Sequence, residues 1–469
     1  MSKLAGGYTL ALLLASFSVQ AAQGILPYKV YKRTLPNQLD VIVIPMPQFP
    51  KFLSYNTLVL TGSLREMEPG QTGKAHLFEH ILFRHEYQGK PGGYEDAMTK
   101  TGAYNNAYTN SEVTFYHPKA SVDFLTQIVE LEADRFKNLR VDKDTFKTET
   151  GAVAGEYQRF AKSPELPLEE TLASLAYPAN YGYGHTTIGY AADIQAMPET
   201  YASSMDFYRR YYRPNNVVIL VSGDVNPEQI FHLIEEHYSD WKPAPLPPLT
   251  DPGTVNGPLS KALHFPTAVP PRIWINFRMQ PFQIGSSATA VGQILPTLIA
   301  HPTAPLYRKL RYEKQVAADV SCSARGDDNL GYETFGPGMF TVSVTLFPEK
   351  FKKQGDRLLH EVQADVISAL ESLKSFSKRP DAADFLARLK QNYRMGMANR
   401  LDSPADVAEE VALYSRFSRD PMAIDHLVGS VRRVKPPDID HLAQQIFVPE
   451  NQIVLTLAHQ DSPADGKGE

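Results

Sequence analysis

Cysteine is nearly absent from this chain of 469 residues: Cys322 stands alone. One thiol excludes an internal disulfide and a thiolate metal cage, and Cys322 reads as a buried small apolar residue. A dominant charge is lacking too, since 47 Lys and Arg face 52 Asp and Glu for a net charge of -5, with no basic block. Nucleic-acid binding needs a clustered positive face, so that class is excluded. Apart from the first twenty residues there is no long uncharged apolar run, which excludes a multi-span membrane protein. What remains, 43% hydrophobic and 21% charged content, describes a folded chain. Single cores stop growing at about 250 to 300 residues, so more than one folded unit is expected.

The start of the chain has the pattern of a leader. Lys3 precedes an uncharged stretch from Leu4 to Val19, and Val19-Gln20-Ala21 offers a small-residue cleavage site. The stretch falls short of the roughly 20 residues that span a bilayer, so 1–21 is expected to be a cleaved secretory signal peptide and the mature protein periplasmic or secreted, with no membrane attachment.

Proline and glycine concentrate near the middle, with six prolines and two glycines between Lys242 and Pro258. Such a composition favours an extended connector. The expected organisation is a half at 22–242, a linker at 243–258, and a second half at 259–469 ending in a disordered tail. The ends of the halves are alike: Pro214-Asn-Asn and Pro449-Glu-Asn each introduce a β-branched run of strand length. Strands are expected at Gln38–Ile44, Phe52–Leu60, Val113–Tyr116, Ile273–Arg278 and Phe340–Leu346. Helices are expected at Ala75–Phe83, Val122–Phe136, Lys353–Leu373 and Asp384–Ala398. Strand pairs followed by long helices predict an α+β fold, each half a mostly antiparallel sheet with helices packed on one face.

The strongest local signal is His76-Leu-Phe-Glu79-His80. Positions i, i+3 and i+4 of a helix face one way, so two imidazoles one turn apart can grip a single metal ion, with the carboxylate beside them to take a proton from water. The order is the inverted His-x-x-Glu-His arrangement. His85-Glu86 is no second motif, because position 89 is glycine. Downstream, Glu149 and Glu156 lie two turns apart on one predicted helix face, where Glu156 could ligate and Glu149 orient a histidine or the ligand carboxylate; alone, such a pair also fits a solvated face. The small residues Gly151, Ala152, Ala154 and Gly155 are expected to let this helix pack closely on the first. Tyr181-Gly-Tyr-Gly-His185 reads as a mobile aromatic loop near the cleft, with His185 disfavoured as a further ligand.

His76-Leu-Phe-Glu-His80 followed by Glu149 and Glu156 resembles the pitrilysin/insulysin family of zinc peptidases. The short subgroup is implied, that of mitochondrial processing peptidase β subunits and bacterial periplasmic homologues. Leu35-Pro-Asn-Gln-Leu39, Gly62-Ser63, Gly73 to Phe83, Asn106-Ala-Tyr-Thr109 and Phe207 to Asp224 carry the likeness over most of the chain. The resemblance implies one Zn2+ per chain held by His76, His80 and Glu156, with Glu79 as general base and Glu149 as supporting carboxylate of an endopeptidase. It also implies two similar halves around a chamber, and an extended peptide added as a strand near Asn106. In the family an arginine and a tyrosine of the second half hold substrate and oxyanion; here Arg311 is in place, whereas the tyrosine position is Ala318. A related partner subunit carrying the pair is therefore expected, as a heterodimer, with a homodimer as the alternative. The competing reading is a family-fold subunit that binds or assembles without cleaving alone.

Overall fold

A computed structural model describes residues 17–19, 24–249, 253, 257–323 and 334–459. The expected signal peptide lies outside these residues except for one short strand, as does the expected tail after His459. Among the described residues no helix is long and apolar enough to cross a membrane.

The first sheet contains β1 (Phe17–Val19), β2 (Val30–Thr34), β3 (Asp40–Pro45), β4 (Phe52–Val59), β5 (Ala107–Thr109), β6 (Thr114–Tyr116), β7 (Lys119–Ser121) and β8 (Val217–Gly223). Its order is β1-β2-β3-β8-β4-β6-β5, with β7 also pairing β4. The second sheet contains β9 (Leu259–Phe265), β10 (Arg272–Arg278), β11 (Ala317–Ser323), β12 (Met339–Leu346) and β13 (Gln452–His459), in the order β11-β12-β10-β13-β9. Superposing the two orders matches β3-β8-β4-β6-β5 with β9-β13-β10-β12-β11. In each half the closing strand runs parallel to the first strand and antiparallel to the second. The proline turns seen in the sequence are 3-10 turns, Pro214–Asn216 and Pro449–Asn451, that lead into β8 and β13. A buried asparagine is duplicated as well: Asn56 on β4 donates to Leu220 O at 3.0 Å, and Asn276 on β10 donates to Ile453 O at 3.0 Å. The similarity of the halves is thus a repeated topology with a repeated polar anchor.

Along β8 every residue is buried, as is every residue of β3 but Pro45, because both faces of the first sheet are covered, and alternate side chains enter different cores. Val41, Val43, Val217, Ile219 and Val221 meet the helices of their own half. The helices on this core include α1 (Lys74–Phe83), α2 (Gly93–Lys100), α3 (Leu125–Lys137), α4 (Lys143–Phe160), Tyr201–Tyr211 and Pro227–Tyr238, the last lying on β3. Ile42, Ile44, Val218 and Leu220 share a core with the second half, whose helix Pro404–Ser415 lies on β4 and β8. The exchange is reciprocal: α5 (Glu165–Ala176) of the first half packs on β9 and β13, where Leu168, Leu172 and Ala176 join Ile453, Leu455 and Leu457. Each sheet therefore carries its own helices on one face, as expected, and helix from the other half on the opposite face.

The proline-rich segment is tethered to the first half. Asn215 Nδ2 donates to Ala244 O at 2.9 Å, Ala244 N–H returns a bond to Asn215 Oδ1 at 3.1 Å, and Arg65 donates to Pro247 O at 2.8 Å. The helix expected over 353–373 is two helices, Pro348–Gln354 and Asp356–Leu373, because Gly355 adopts a left-handed φ of 57° between them. Cys322 is half-buried against the core rather than buried, since β11 is the last strand of its sheet.

Candidate metal centre

The helix bearing the motif is built to expose one polar stripe. Ala75, Leu77, Phe78, Ile81 and Leu82 are buried on the sheet side, which turns His76, Glu79 and His80 together toward the cleft. The residue before the helix, Gly73, has φ +84°, and a Cβ there would meet Ile188 O at 2.7 Å. Without a capping side chain at Gly73, the first turn is satisfied by Glu66, which accepts Gly73 N–H at 2.7 Å and Ala75 N–H at 2.6 Å. Burial pushes the Glu66 carboxyl up to about 8 against the pull of these two donors and Lys74. Glu66 has no counterpart in the sequence expectations, since a cap placed eight residues before the first residue of its helix leaves no local pattern.

Glu149 and Glu156 come from α4, and the structure brings both to the motif. One ligand atom from each of His76, His80 and Glu156 lies within 4.8 Å of the others. His76 Nε2 is 3.4 Å and His80 Nε2 is 3.6 Å from Glu156 Oε2. Tetrahedral zinc with bonds of about 2.0 to 2.1 Å separates its ligand atoms by roughly 3.3 Å. The donor set therefore fits zinc in chemistry and spacing, with a fourth position left for water or substrate. Burial, together with the nearby His80, lowers His76 to about 3, which keeps the ring neutral as a ligand requires. For His80, burial is outweighed by Glu149, Glu156 and Glu79, which hold the ring above its ordinary value. The other nitrogen of His76, Nδ1, is buried and has no hydrogen-bond partner among the described residues.

Glu149 touches His80 from behind: its Oε2 is 3.6 Å from His80 Nδ1, and its Oε1 accepts Arg84 Nε at 2.7 Å. Burial would raise this carboxyl, but His80 and Arg84 outweigh it and hold it below its ordinary value. Arg84 in turn pairs with Glu95. Helix α4 does pack on α1, and of the four small residues Ala154 is half-buried against the core, but the other three do not make the contact. Gly151, Ala152 and Gly155 are exposed, and Val153 is the buried contact, because they lie on the opposite side of α4 from the face shared by Glu149, Val153 and Glu156. Glu149→Gln is expected to weaken zinc binding about 10- to 100-fold, as loss of a carboxylate orienting a ligand histidine does. Competition against a chromophoric chelator measures this, and unchanged affinity would leave Glu149 only a helix-pairing role.

Glu79 is oriented from the sheet. Thr109 on β5 donates from Oγ1 to Glu79 Oε2 at 2.7 Å, and burial raises the Glu79 carboxyl above its ordinary value against the pull of Thr109 and His80. Thr109 stands inside the Asn106-Ala-Tyr-Thr stretch, yet its bond to Glu79 depends on a sheet edge meeting a helix and has no sequence signature. Asn106 is exposed at the same edge, its Nδ2 donating to Tyr104 Oη at 3.0 Å and its Oδ1 accepting Ala107 N–H at 2.9 Å. Beside His76 and Thr109 a cleft of about 420 Å3 opens, walled by Phe160, Leu166, Glu169 and Ile188.

Arg311 is engaged elsewhere. Its Nη1 donates to Ala317 O at 2.9 Å and its guanidinium lies over Phe347 at 5.2 Å; no hydrogen bond or ion pair joins it to the metal-site residues among the described residues. Ala318 occupies a bulge between β11 and β12. Tyr312 is exposed at 58%. The Tyr181 to His185 segment is not a loop free at the cleft: Tyr181, Tyr183 and His185 are all buried, and His185 Nε2 lies 3.4 Å from Glu66 O and 3.9 Å from Glu66 Oε2, away from the ligand set.

Comparison with known proteins agrees with this geometry. The family model described as insulinase, peptidase family M16, matches residues 50–188, which hold the whole candidate centre. A second, the peptidase M16 inactive domain, matches residues 199–390. The zinc protease PqqE of Helicobacter pylori is 31% identical over 252 residues, 52% of this chain and 56% of that protein. The human mitochondrial-processing peptidase subunit beta is 27% identical over 179 residues, 38% of this chain and 36% of that one. The matched stretch thus spans about half the length of PqqE. Among solved structures, a protease from Helicobacter pylori superposes with a TM-score of 0.79 at 23% identity, covering 95% of this chain and all of that one. A peptidase M16 inactive domain from Pseudomonas fluorescens gives 0.76 at 15% identity over 94% of this chain. These two likenesses bear on the fold alone. The chain belongs to peptidase family M16, the pitrilysin family whose members include zinc proteases.

Proposed function

We propose that this chain is a zinc-dependent endopeptidase that hydrolyses extended peptides, with His76, His80 and Glu156 holding the metal and Glu79 acting as general base. One observation carries the reading: Glu79, held by Thr109, stands beside three convergent zinc-type ligands and next to an unpaired sheet edge. Zinc, when bound, supplies a Lewis acid for the scissile carbonyl and brings the pKa of a water toward 7.

The chain's own residues account for substrate placement. Among the described residues β5 ends its sheet and pairs only with β6. His117 N–H bonds to Asn106 O at 2.9 Å and Asn110 N–H to Val113 O at 3.0 Å. By alternation, the main-chain groups of Ala107 and Thr109 then point away from β6, toward solvent. A peptide strand added there forms main-chain hydrogen bonds irrespective of its sequence, and its side chains meet the cleft of Phe160, Leu166 and Ile188. Asn106 gives up its bond to Ala107 N–H when the peptide takes that donor. Thr109 serves twice, its hydroxyl orienting the base and its main chain the substrate, which fixes the distance between the two. Glu79 then takes a proton from water and delivers it to the leaving amine, a transfer its raised carboxyl suits.

With Arg311 bonded inside its own half and alanine at position 318, oxyanion stabilisation is assigned to a related subunit carrying the arginine and tyrosine. The test is incubation of the purified chain, alone and with a related subunit from the same genome, with a mixed peptide library read by mass spectrometry. Products that vanish with a chelator and return with Zn2+ are expected. A zinc-loaded pair that leaves the whole library intact sinks the reading in favour of a non-cleaving subunit.

A further inference from the structure

The hairpin that carries the edge strand ends in a buried carboxylate. Glu112 is 3% exposed, and its hydrogen bonds run to distant parts of the chain. Oε1 accepts the Tyr183 hydroxyl and the Phe335 N–H, while Oε2 accepts Arg416 Nε at 3.3 Å. Phe335 and Arg416 belong to the second half, Arg416 following helix Pro404–Ser415 directly. Tyr183 Oη also accepts Gly336 N–H at 3.3 Å. On the other side the hairpin tip is fastened to the segment that leads to α1. Asn110 O accepts Ser63 N–H at 3.3 Å, Ser111 O accepts Leu64 N–H at 2.7 Å, and Asn110 Oδ1 takes Glu112 N–H at 2.8 Å and Val113 N–H at 2.9 Å.

Strand β5 is three residues long and among the described residues pairs with one strand, so its ladder alone sets its position weakly. A buried ion pair is weak support for stability, because desolvation offsets much of the attraction, and such a pair better serves to select one arrangement. Burial holds the Glu112 carboxyl above its ordinary value even with Arg416, Tyr183 and Phe335 pulling it down, so desolvation is not fully offset here. Glu66 under α1 and Glu112 under β5 meet the same segment: His185 Nε2 lies 3.4 Å from the Glu66 main-chain O and 3.9 Å from its carboxylate, and the Tyr183 hydroxyl donates to Glu112.

We propose that Glu112 is a positioning residue for peptide hydrolysis: its carboxylate ties the β5–β6 hairpin to Tyr183 and to Phe335 and Arg416 of the second half, setting the edge strand at working distance from Glu79. This rests on the peptidase reading above. The second half also reaches β5 itself, where Tyr108 Oη donates to Glu409 Oε1 at 2.9 Å, so it acts on the centre by placing the edge strand rather than by lending it a ligand.

Two variants test this, Glu112→Ala and the pair Glu112→Gln with Arg416→Met, compared with the parent for zinc content, kcat, KM and amide hydrogen exchange across 107–115. For Glu112→Ala we expect full zinc content, kcat within about threefold, KM raised about tenfold, and faster exchange of the hairpin. The paired variant keeps an acceptor for Tyr183 and Phe335 and leaves no orphaned guanidinium, so its KM returns to within about threefold of the parent. Parental KM with parental exchange in Glu112→Ala overturns the proposal, as does joint loss of zinc and kcat, which marks a general structural role. If the zinc-loaded parent cleaves nothing, the peptidase reading falls by itself. Hydrogen exchange then decides the positioning role, faster exchange supporting it and an unchanged hairpin overturning it.

Discussion

Glu79→Gln is expected to lower kcat by about a hundred- to ten-thousand-fold, the usual contribution of a general base, while zinc remains bound at one equivalent. The side chains are equal in size, and the amide oxygen still accepts the Thr109 hydroxyl now 2.7 Å from Glu79 Oε2, so the edge strand keeps its place. His76, His80 and Glu156 meet one another without Glu79, so metal content is independent of the substitution. What disappears is the group that receives the proton of water and returns it to the departing amine. Single-turnover cleavage of a peptide found in the library screen, alongside elemental analysis, separates the outcomes. A variant that holds zinc and cleaves at the parent rate removes Glu79 from the mechanism; one that loses zinc makes it a ligand.

Glu132→Gln is expected to remove about 3 to 5 kcal/mol of stability from the zinc-loaded protein, the cost of leaving a buried charge without its partner. Arg135 and Glu132 are one turn apart on α3, 2.8 Å between charged atoms, both side chains 0% exposed. The guanidinium is enclosed by rings, 4.3 Å from the centroid of Tyr94, 4.8 Å from Tyr116, 5.0 Å from Phe136 and 5.4 Å from Phe83. Tyr94 also donates to Glu132 at 2.6 Å. Because Phe83 closes α1, the pair lies under the end of the metal-bearing helix. Substituting Arg135→Met as well is expected to recover most of the loss, since no charge is then left buried. Urea midpoints of the two variants and the parent measure this. A loss under about 1 kcal/mol for Glu132→Gln would mean that the aromatic faces alone hold the cation, within the range of cation-π contacts.

The candidate centre was legible where it is local. His76, Glu79 and His80 share a face because a helix repeats every 3.6 residues, and Glu149 and Glu156 share another for the same reason; any fold that makes these segments helical keeps each set together. The repeat of the halves was visible only at their ends, in Pro214-Asn-Asn and Pro449-Glu-Asn, because turn chemistry is written in neighbouring residues. The partners Thr109, Glu66 and Arg84 were not legible as such, since each acts across a strand-to-helix, loop-to-helix or helix-to-helix contact. The expectation for Gly151, Ala152 and Gly155 failed for a related reason: small residues permit close packing, but only the neighbour decides which face is packed.

The sequence by itself determined the ligand chemistry, the inverted spacing and the α+β character, because these follow from residue types and from periodicities shorter than ten residues. Only the tertiary structure decided that the halves interlock, with α5 on the second sheet and helix Pro404–Ser415 on the first. It also decided that Arg311 is bonded within its own half and that Glu112 joins the edge strand to Arg416, 304 positions away. Contacts at that separation depend on how apolar faces from the whole chain are covered, a property of the packed assembly that no short stretch of residues encodes.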